Sequence, residues 1–570
     1  MQARLRLICV ITLISFALLI GRFFYWQVVK SDELSIRAQP QHVRKSIESA
    51  YRGKILSSDG TILVGQADSW NLFAEPYLIE DVNKAARSLA DVLVEDRHDS
   101  IAVKAEEDRI AGLIKDKKKL WVPLENRIDT DVKTEIELLD IKGLGFDRDE
   151  IRKYPESSMS AHLLGFLGKN EQNGNQGYFG LEGYYDKTLL ALNGVQRGET
   201  DIKGLPLLFG KSKRIPSQSG ADLVTYIDKG IQLIVDSELK KGIEDYGALS
   251  GSMIVMDPKT GGILAMSSFP SFDPQKYWNY SNELFLNPVI SASFEPGSVF
   301  KIVIMASALD AGVIKPDTIC DICGGPFRID KYEIQTWNNK YYPDSTMTDV
   351  IVHSDNVGMV FVAEKLGKDR NYEYLKKFGL GSKTGIDLQG EISPSLRKPS
   401  DWSEVDLVTS SFGQGIAVTP VQMISAVSVI ANGGIYVHPR VVDKIVVDGK
   451  EYDADASEKS TRIISEKASN EVKMMMVEAA KSGESKWTYK KGFGVAGKTG
   501  TAQIPIEGHY DEEKTIASFV GFAPYNDPKF VMLVTLREPK SSIWASETAA
   551  PLWYRVAQRL FLHFGIVPEK

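Results

Sequence analysis

Cysteine is scarce in this chain of 570 residues, which contains only Cys9, Cys320 and Cys323. So few cysteines argue against a framework of disulfides. Cys320 and Cys323 form one C-x-x-C pair, but no second pair and no H-x-x-x-H partner follows to complete a zinc site. The pair therefore predicts two ordinary or locally bridged cysteines and no metal. Cys9 lies in an apolar run without small residues ahead of it, which disfavours a lipidation site.

Strongly basic stretches, repeats of fixed period and long low-complexity segments are also absent. The net charge is −7, so a nucleic-acid partner is not expected, because such a partner requires a basic surface. The contents of hydrophobic (43%) and charged (25%) residues are those of a globular protein. A chain of this length is too long for one hydrophobic core, which predicts two or more domains.

One long apolar run is present, at the N-terminus. Residues 7–21 and 23–29, separated by Arg22, together reach the length of about 20 residues that spans a bilayer. Arg4 and Arg6 precede the run, so the positive-inside rule puts the N-terminus in the cytoplasm and the rest outside. A cleaved signal peptide is the alternative. The run lacks a convincing A-x-A site, so we expect an uncleaved anchor.

Residues 31–222 alternate short strand patterns, charged helical stretches and Gly-rich turns. The segment 62–64 after Ser58-Asp-Gly60 predicts a hairpin, and 82–114 predicts an amphipathic helix broken near 96–98. Because this part lacks the composition of a catalytic cleft, we interpret it as a spacer or docking module.

The second half has a different pattern. Residues 223–227 predict a strand, and an amphipathic helix follows with Ile231, Ile234, Val235 and Leu239 on one face. Residues 251–256 and 263–266 predict a β-hairpin. Helical and strand patterns then interleave to residue 562, which predicts a sheet covered by helices in an α/β-type domain of about 330 residues.

The first candidate catalytic motif is Ser298-Val-Phe-Lys301, an S-x-x-K pattern. Ser237 and Ser395 begin the same pattern, but the first lies in an exposed-looking helical stretch and the second lies between prolines. Ser298 instead opens a very apolar helix over residues 299–311. Unpaired N–H groups at a helix start favour developing negative charge, and residues three apart share a face.

Serine is a poor nucleophile without a base. Lys301 can be that base if burial and nearby positive charge keep it partly neutral. A helix cap beside a snorkelling lysine is the alternative interpretation.

The second motif is Ser354-Asp-Asn356, between helical patterns at 348–352 and 357–366. Ser354 could pass a proton toward a leaving amine, and Asn356 could hold Lys301 and bond a substrate amide. A capped turn between helices is the alternative.

The third motif is Lys498-Thr499-Gly500-Thr501, on a predicted edge strand. Lysine would attract a terminal carboxylate, and the threonine hydroxyls would bond it. Gly500 leaves room for a peptide backbone, and the N–H groups of Thr501 and Ser298 could form an oxyanion hole. Lys383-Thr-Gly385 is rejected, because it lies too soon after Ser354 and lacks the second threonine; it is interpreted as a turn.

Each motif alone is weak, but the ordered set is typical of penicillin-binding proteins and class A β-lactamases. The chain resembles the class B, monofunctional penicillin-binding proteins over nearly its whole length. Further stretches similar to that family are Arg52 to Gly60, with Ser57 and Ser58 in place of its usual Asp-Arg, Tyr154-Pro155, Ala161 to Gly165, Gly180 to Glu182, Glu295 to Lys301, Phe412 to Gly415, Thr419-Pro420 and Phe519 to Pro524.

The resemblance implies an α+β multidomain fold: an anchor at 1–29, an elongated pedestal of the dimerisation type at 30–222, and a serine β-lactamase-like transpeptidase domain at 223–570. The activity implied is D,D-transpeptidation of peptidoglycan. Ser298 would attack a D-Ala-D-Ala bond, with Lys301 as base and Ser354 and Asn356 assisting, while Lys498, Thr499, Gly500 and Thr501 hold the substrate. No metal or organic cofactor is implied.

The implied setting is a bacterial cell membrane, crossed once. The partners implied are peptidoglycan stem peptides, β-lactams as inhibitors, and a SEDS-type glycosyltransferase with other divisome or elongasome membrane proteins. Ser354-Asp-Asn356 followed by Val357-Gly358, and the Phe378 to Gly381 stretch before Gly385, look more like the septal than the elongation branch.

An elongation enzyme is one alternative. A D,D-carboxypeptidase, a β-lactamase, a β-lactam sensor and a catalytically silent scaffold are the others, although a silent scaffold should have lost at least one motif residue and none is missing. A hydrolase would share all three motifs, and a sensor would be expected to carry a signalling domain that this chain does not suggest.

Overall fold

The computed structural model describes residues 2–34, 43–94, 96–156, 158–172, 174–199, 212–454, 460–506 and 509–568. Helices in this part of the chain include α1 Gln2–Phe24, α2 Val82–Leu93, α3 Ser100–Ile114, α4 Thr130–Glu137, α5 Ala161–Leu164, α6 Gly180–Tyr184, α7 Asp186–Leu189, α8 Lys229–Tyr246, α9 Pro288–Ser291, α10 Lys301–Asp310, α11 Met347–Val352, α12 Asn356–Leu366, α13 Lys368–Lys377, α14 Glu404–Ser411, α15 Pro420–Ala431, α16 Glu466–Ser482 and α17 Ala549–His563.

The strands of the same residues are β1 Val43–Glu48, β2 Ile55–Leu56, β3 Ile62–Ala74, β4 Val122–Asp129, β5 Leu144–Lys153, β6 Phe166–Lys169, β7 Asn175–Tyr178, β8 Gly194–Glu199, β9 Ser212–Ile215, β10 Asp222–Thr225, β11 Ser250–Met256, β12 Ile263–Phe269, β13 Phe327–Ile329, β14 Tyr332–Ile334, β15 Ile435–Tyr436, β16 Val442–Val447, β17 Lys450–Asp453, β18 Thr461–Arg462, β19 Ala496–Ile506, β20 His509–Ala523 and β21 Phe530–Arg537.

The N-terminal apolar run is helical, as predicted. Helix α1 continues through a π-helical turn, Tyr25–Val29, and the combined 28 residues are long and apolar enough to cross a membrane. At 1.5 Å per residue they extend about 42 Å, more than the hydrocarbon core requires. The side chains of α1 are exposed, which suits a helix surrounded by lipid.

The chain divides into two compact units. The first comprises Met1–Gly53 and Leu190–Gly220, and the second comprises Lys54–Leu189 and Ala221–Lys570. The first unit contains a three-stranded antiparallel sheet in the order β1-β8-β9. The domain limits at 29 and 222 stay predictions.

Within the second unit, a seven-stranded sheet has the order β17-β16-β10-β2-β3-β4, with β5 paired to β3. Strands β2 and β3 form the hairpin predicted around Ser58-Asp-Gly60. Strand β10 then pairs parallel with β2 and antiparallel with β16. Strands from both sides of the predicted limit at residue 222 therefore belong to one sheet. The N–H and C=O groups at the edge of a strand need hydrogen-bond partners, and any strand that packs beside them can supply these, whatever its position in the chain.

The predicted broken helix is confirmed as α2 and α3. Asp99 marks the break, because its carboxylate accepts hydrogen bonds from the N–H groups of Ile101 and Ala102 at the start of α3. Both helices pack with α4 against strands β3 and β4 over a small core of their own, which includes Leu72, Leu89 and Ile110.

A five-stranded antiparallel sheet carries the second half of the chain, in the order β12-β11-β21-β20-β19. The predicted hairpin is β11 and β12. Alternate residues of the sheet enter two different cores, since successive side chains of a strand point to opposite faces. Helices α8 and α17 cover one face and α10, α15 and α16 cover the other. Strand β19 lies at the edge, as predicted.

The two cysteines of the C-x-x-C pair form a disulfide, with Cα atoms 5.6 Å apart. Of the two interpretations left open by the sequence, local bridging is therefore the one found. Cys9 is a free cysteine in α1.

Glu182 and Arg152 form a buried ion pair, with Arg152 Nε 2.6 Å from Glu182 Oε1 and the side chains 4% and 0% exposed. We expect Glu182→Ala to lower the free energy of unfolding by about 3–5 kcal/mol, because it leaves a buried guanidinium without its carboxylate. Urea denaturation of the detergent-solubilised protein measures this. Asp68→Ala is the matched control, because its ion pair with Arg148, also on β5, is exposed and contributes at most about 1 kcal/mol. Equal losses in the two variants would contradict the prediction.

Candidate active site

Ser298 lies on a short 3₁₀ helix, Gly297–Phe300, that leads directly into α10. Its side chain is partly exposed, and its hydroxyl makes no hydrogen bond to any described residue. The preceding Gly297 donates its N–H to the Gly413 carbonyl at 3.1 Å. A Cβ at Gly413 would lie 2.2 Å from the Gly297 oxygen, so the F-G-Q-G segment must present a glycine to the turn that carries Ser298.

Lys301 is fully buried at the start of α10. Its Nζ donates to the Ser354 carbonyl at 2.6 Å and to Asn356 Oδ1 at 2.8 Å, and it lies 3.4 Å from Ser354 Oγ. A neutral amine has two N–H groups, so both acceptors can be satisfied while the lone pair stays available. Among the described residues, the hydrogen-bond partners of Lys301 Nζ are Ser354 and Asn356, and Ser298 is not one of them.

The environment of Lys301 favours its neutral form. Burial, followed by the positive charge of Lys498, lowers the pKa of Lys301 from 10.5 to about 7, although Asp355 and Glu484 act in the opposite direction. These are the two conditions that a lysine base requires, removal from water and a neighbouring cation.

Ser354 occupies the turn between α11 and α12 with a positive φ of 55°. This left-handed conformation is uncommon for serine, and both Ser354 oxygens meet the two lysines. Asp355 caps α12 by accepting from the N–H groups of Val357 and Gly358. The turn is therefore held from the helix that follows it.

Lys498 reaches the same turn from strand β19. Its Nζ lies 2.9 Å from Ser354 Oγ, and burial lowers its pKa, opposed by the Glu484 carboxylate. A Cβ at Gly500 would lie 2.8 Å from Val299 Cγ1 and 3.0 Å from the Pro296 oxygen. Glycine at that position thus allows β19 to pack directly against the turn that carries Ser298.

The two threonines of the strand have different partners. Thr499 Oγ1 donates to Glu484 Oε2 at 2.8 Å, whereas Thr501 Oγ1 accepts from the Ala545 N–H at 3.0 Å. Glu484 was not found by sequence reasoning, because no motif surrounds it and its partner lies 15 positions further along the chain. Asp355 lies inside the Ser354-Asp-Asn356 motif, but its electrostatic effect on the pKa of Lys301 depends on packing.

The rejected motif copies do not join this cluster. The Ser237 hydroxyl donates to the Ile234 carbonyl within α8. The buried Thr384 of the second K-T-G sequence bonds Glu391 Oε1 through both its N–H and its hydroxyl, each at 2.6 Å. Among the described residues, no three His, Cys, Asp or Glu side chains lie close enough to hold a metal ion.

The arrangement brings together a partly exposed hydroxyl at a helix start, a buried amine of lowered pKa one turn on, and a second buried lysine on an edge strand. A hydroxyl with a neutral amine within one helical turn can act as a nucleophile. A cationic strand beside it can attract an anionic substrate. The chemistry available is acyl transfer to serine.

Two family models match the chain. The penicillin-binding protein transpeptidase domain matches residues 251–558, and the penicillin-binding protein dimerisation domain matches residues 47–225.

Similar proteins include the stage V sporulation protein D of Bacillus subtilis, 32% identical over all of this chain and 87% of that protein. Another is the peptidoglycan D,D-transpeptidase FtsI of Escherichia coli, 28% identical over 99% of this chain and 92% of that protein. A similar solved structure is penicillin-binding protein 2X of Streptococcus thermophilus, with a TM-score of 0.74 and 24% identity over 92% of this chain and 80% of that one.

Proposed function

This chain belongs to the penicillin-binding protein transpeptidase family, and we propose that it is a membrane-anchored peptidoglycan D,D-transpeptidase acting through an acyl-enzyme on Ser298. The observation that carries the proposal is the buried Lys301, held by Ser354 and Asn356 and facing Lys498. A relative that matches 99% of this chain is named a peptidoglycan D,D-transpeptidase.

The reaction follows from the proposed roles. Ser298 Oγ attacks the carbonyl carbon of the penultimate D-Ala, and its proton passes to the neutral Lys301 amine. The N–H groups of Ser298 and Thr501 stabilise the oxyanion. When the C–N bond breaks, the proton returns through Lys301 and Ser354 to the leaving D-Ala nitrogen, and an ester on Ser298 remains.

The second half reverses these steps. An amine from a neighbouring stem peptide attacks the ester carbonyl and loses one proton to the same lysine. The new amide cross-links the two stems, and Ser298 recovers its proton. No cofactor enters this balance.

Covalent capture by a β-lactam tests the proposal. Fluorescent penicillin should label the detergent-solubilised protein with one equivalent, and mass spectrometry of the digest should locate the adduct on the peptide that contains Ser298. With a D-Ala-D-Ala substrate and a D-amino acid acceptor, transfer should exceed hydrolysis. An adduct on a different peptide would refute the nucleophile, and hydrolysis alone would indicate a D,D-carboxypeptidase.

The setting is proposed from the N-terminal helix and the motifs. Arg4 and Arg6 put the N-terminus in the cytoplasm by the positive-inside rule, with the catalytic domain outside. Protease added to intact protoplasts should then digest the catalytic domain. The motifs that resemble the septal branch support a role in division, beside a SEDS-type glycosyltransferase and other divisome membrane proteins. A tagged copy should accumulate at midcell, and sidewall labelling would favour elongation.

A further inference from the structure

Glu484 is the carboxylate that contacts the K-T-G-T strand. It follows Gly483, whose N–H donates to the Ala479 carbonyl at 2.9 Å just beyond the end of α16. A Cβ at Gly483 would lie 2.4 Å from that oxygen. The buried Ser485 then begins the next turn, in which its carbonyl accepts from Thr488 Oγ1. The position of Glu484 is thus held on both sides by the backbone.

Glu484 ends a chain of hydrogen bonds that starts in the site. Lys498 Nζ lies 2.9 Å from Ser354 Oγ and 3.3 Å from Thr499 Oγ1, and Thr499 Oγ1 lies 2.8 Å from Glu484 Oε2. The chain therefore runs from Ser354 through a cation and a hydroxyl to a carboxylate.

The hydroxyls of Thr499 and Thr501 differ in whether they can still donate a hydrogen bond to a substrate. A hydroxyl has one proton to donate and two lone pairs to accept. The Thr499 hydroxyl donates its one hydrogen bond to Glu484, so it has none left to donate to a substrate carboxylate. Thr501 accepts from Ala545, and its own proton has no acceptor within the described part of the chain.

We propose that Glu484 is a positioning residue of this site, which holds Thr499 and the Lys498 ammonium and leaves Thr501 as the hydroxyl that bonds the donor's terminal carboxylate. The inference rests on the proposed function, since it assigns how that function recognises its donor. Glu484 itself touches neither substrate nor nucleophile.

The charges around the two lysines support this role. The charged groups that face Lys301 are Lys498, Asp355 and Glu484, and Glu484 opposes the lowering of the Lys498 pKa. A carboxylate at this position favours the charged form of Lys498 against the effect of burial, and the charged form is the one that attracts an anion. Its loss lowers the pKa of both lysines.

The test compares second-order acylation rates of the detergent-solubilised full chain by benzylpenicillin and by its methyl ester, across pH 5–10. Thr501→Val should reduce the preference for the free acid by about 10- to 100-fold, the contribution of a hydrogen bond to a charged group. Thr499→Val should change that preference less than about threefold. Glu484→Gln should move both limbs of the pH profile to lower pH.

Two variants control for charge and folding. Glu478→Gln removes a carboxylate from α16 that bonds Ser482 and should leave the profile in place. Glu484→Asp retains the charge and should keep the wild-type limbs. A thermal melt of each variant establishes that it is folded.

The inference is overturned if Thr499→Val loses as much acid preference as Thr501→Val, if Glu484→Gln leaves the limbs unmoved, or if Glu484→Asp moves them equally. Each of these results requires a wild type that is acylated on Ser298, so the proposed function survives them. A wild type that no β-lactam acylates would instead refute the proposed function, and this inference with it.

Discussion

Replacing Ser298 by alanine is expected to abolish covalent labelling by fluorescent penicillin and to lower the transpeptidation rate by up to about a millionfold. The variant lacks the only oxygen that the proposed acyl ester can use. The fold should tolerate the change, because the Ser298 hydroxyl is partly exposed and bonds no described residue. Gel fluorescence after labelling, and D-alanine release from a D-Ala-D-Ala substrate, measure the two effects.

The other serines that begin an S-x-x-K pattern provide matched controls. Ser237→Ala and Ser395→Ala each remove a hydroxyl from an exposed residue and should label as the wild type does. Persistent stoichiometric labelling of Ser298→Ala would show that another residue forms the adduct, and the catalytic assignment would then be wrong.

Replacing Lys301 by methionine is also expected to slow the reaction strongly. We expect acylation to slow by about a hundredfold to ten-thousandfold, the range for loss of a general base. Methionine occupies similar volume, so the loss reports on the amine rather than on packing. Stopped-flow acylation by a chromogenic β-lactam measures the rate, and mass spectrometry establishes that Ser298 is still the residue modified.

The pH dependence of acylation tests the role of Lys301 as base independently of the substitution. Because the pKa of Lys301 is about 7, the amine is protonated below that pH and cannot accept the serine proton. Acylation in the wild type should therefore fall about tenfold for each pH unit below the pKa of Lys301, level off above it, and fall again at higher pH where Lys498 loses its charge. This acid limb should be absent from Lys301→Met.

Lys473 offers a matched control, since it is a lysine of α16 only 9% exposed and burial lowers its pKa too. Lys473→Met should retain both the rate and the acid limb. A wild-type profile that is flat through neutral pH would contradict the role of Lys301 as base.

Much of the local structure could be predicted because it depends on local physics. The break between α2 and α3 follows from Asp99, which caps the second helix through its own side chain. The hairpins β2-β3 and β11-β12 follow from short apolar runs on either side of turn-forming segments. The edge position of β19 was also expected.

Longer-range pairings could not be predicted in this way. The seven-stranded sheet joins β2, β10 and β16 from distant parts of the chain. The pattern of apolar residues within one strand does not indicate which other strand pairs with it. The pairing of Thr499 with Glu484 was missed for the same reason. A hydrogen bond between side chains 15 positions apart has no sequence signature when one partner lies outside a helix or strand.

By itself the sequence determined the kinds of chemical group and their order along the chain: a serine at a helix start, a lysine one turn later, a serine-asparagine turn, and a lysine-threonine strand. Only the tertiary structure decided the state and the neighbours of those groups. Burial and the proximity of Lys498 lower the pKa of Lys301, and packing of the segment after α16 places Glu484 where it accepts the Thr499 hydrogen bond. Solvation and distance govern a charge or a hydrogen bond, and both arise only when remote segments fold together.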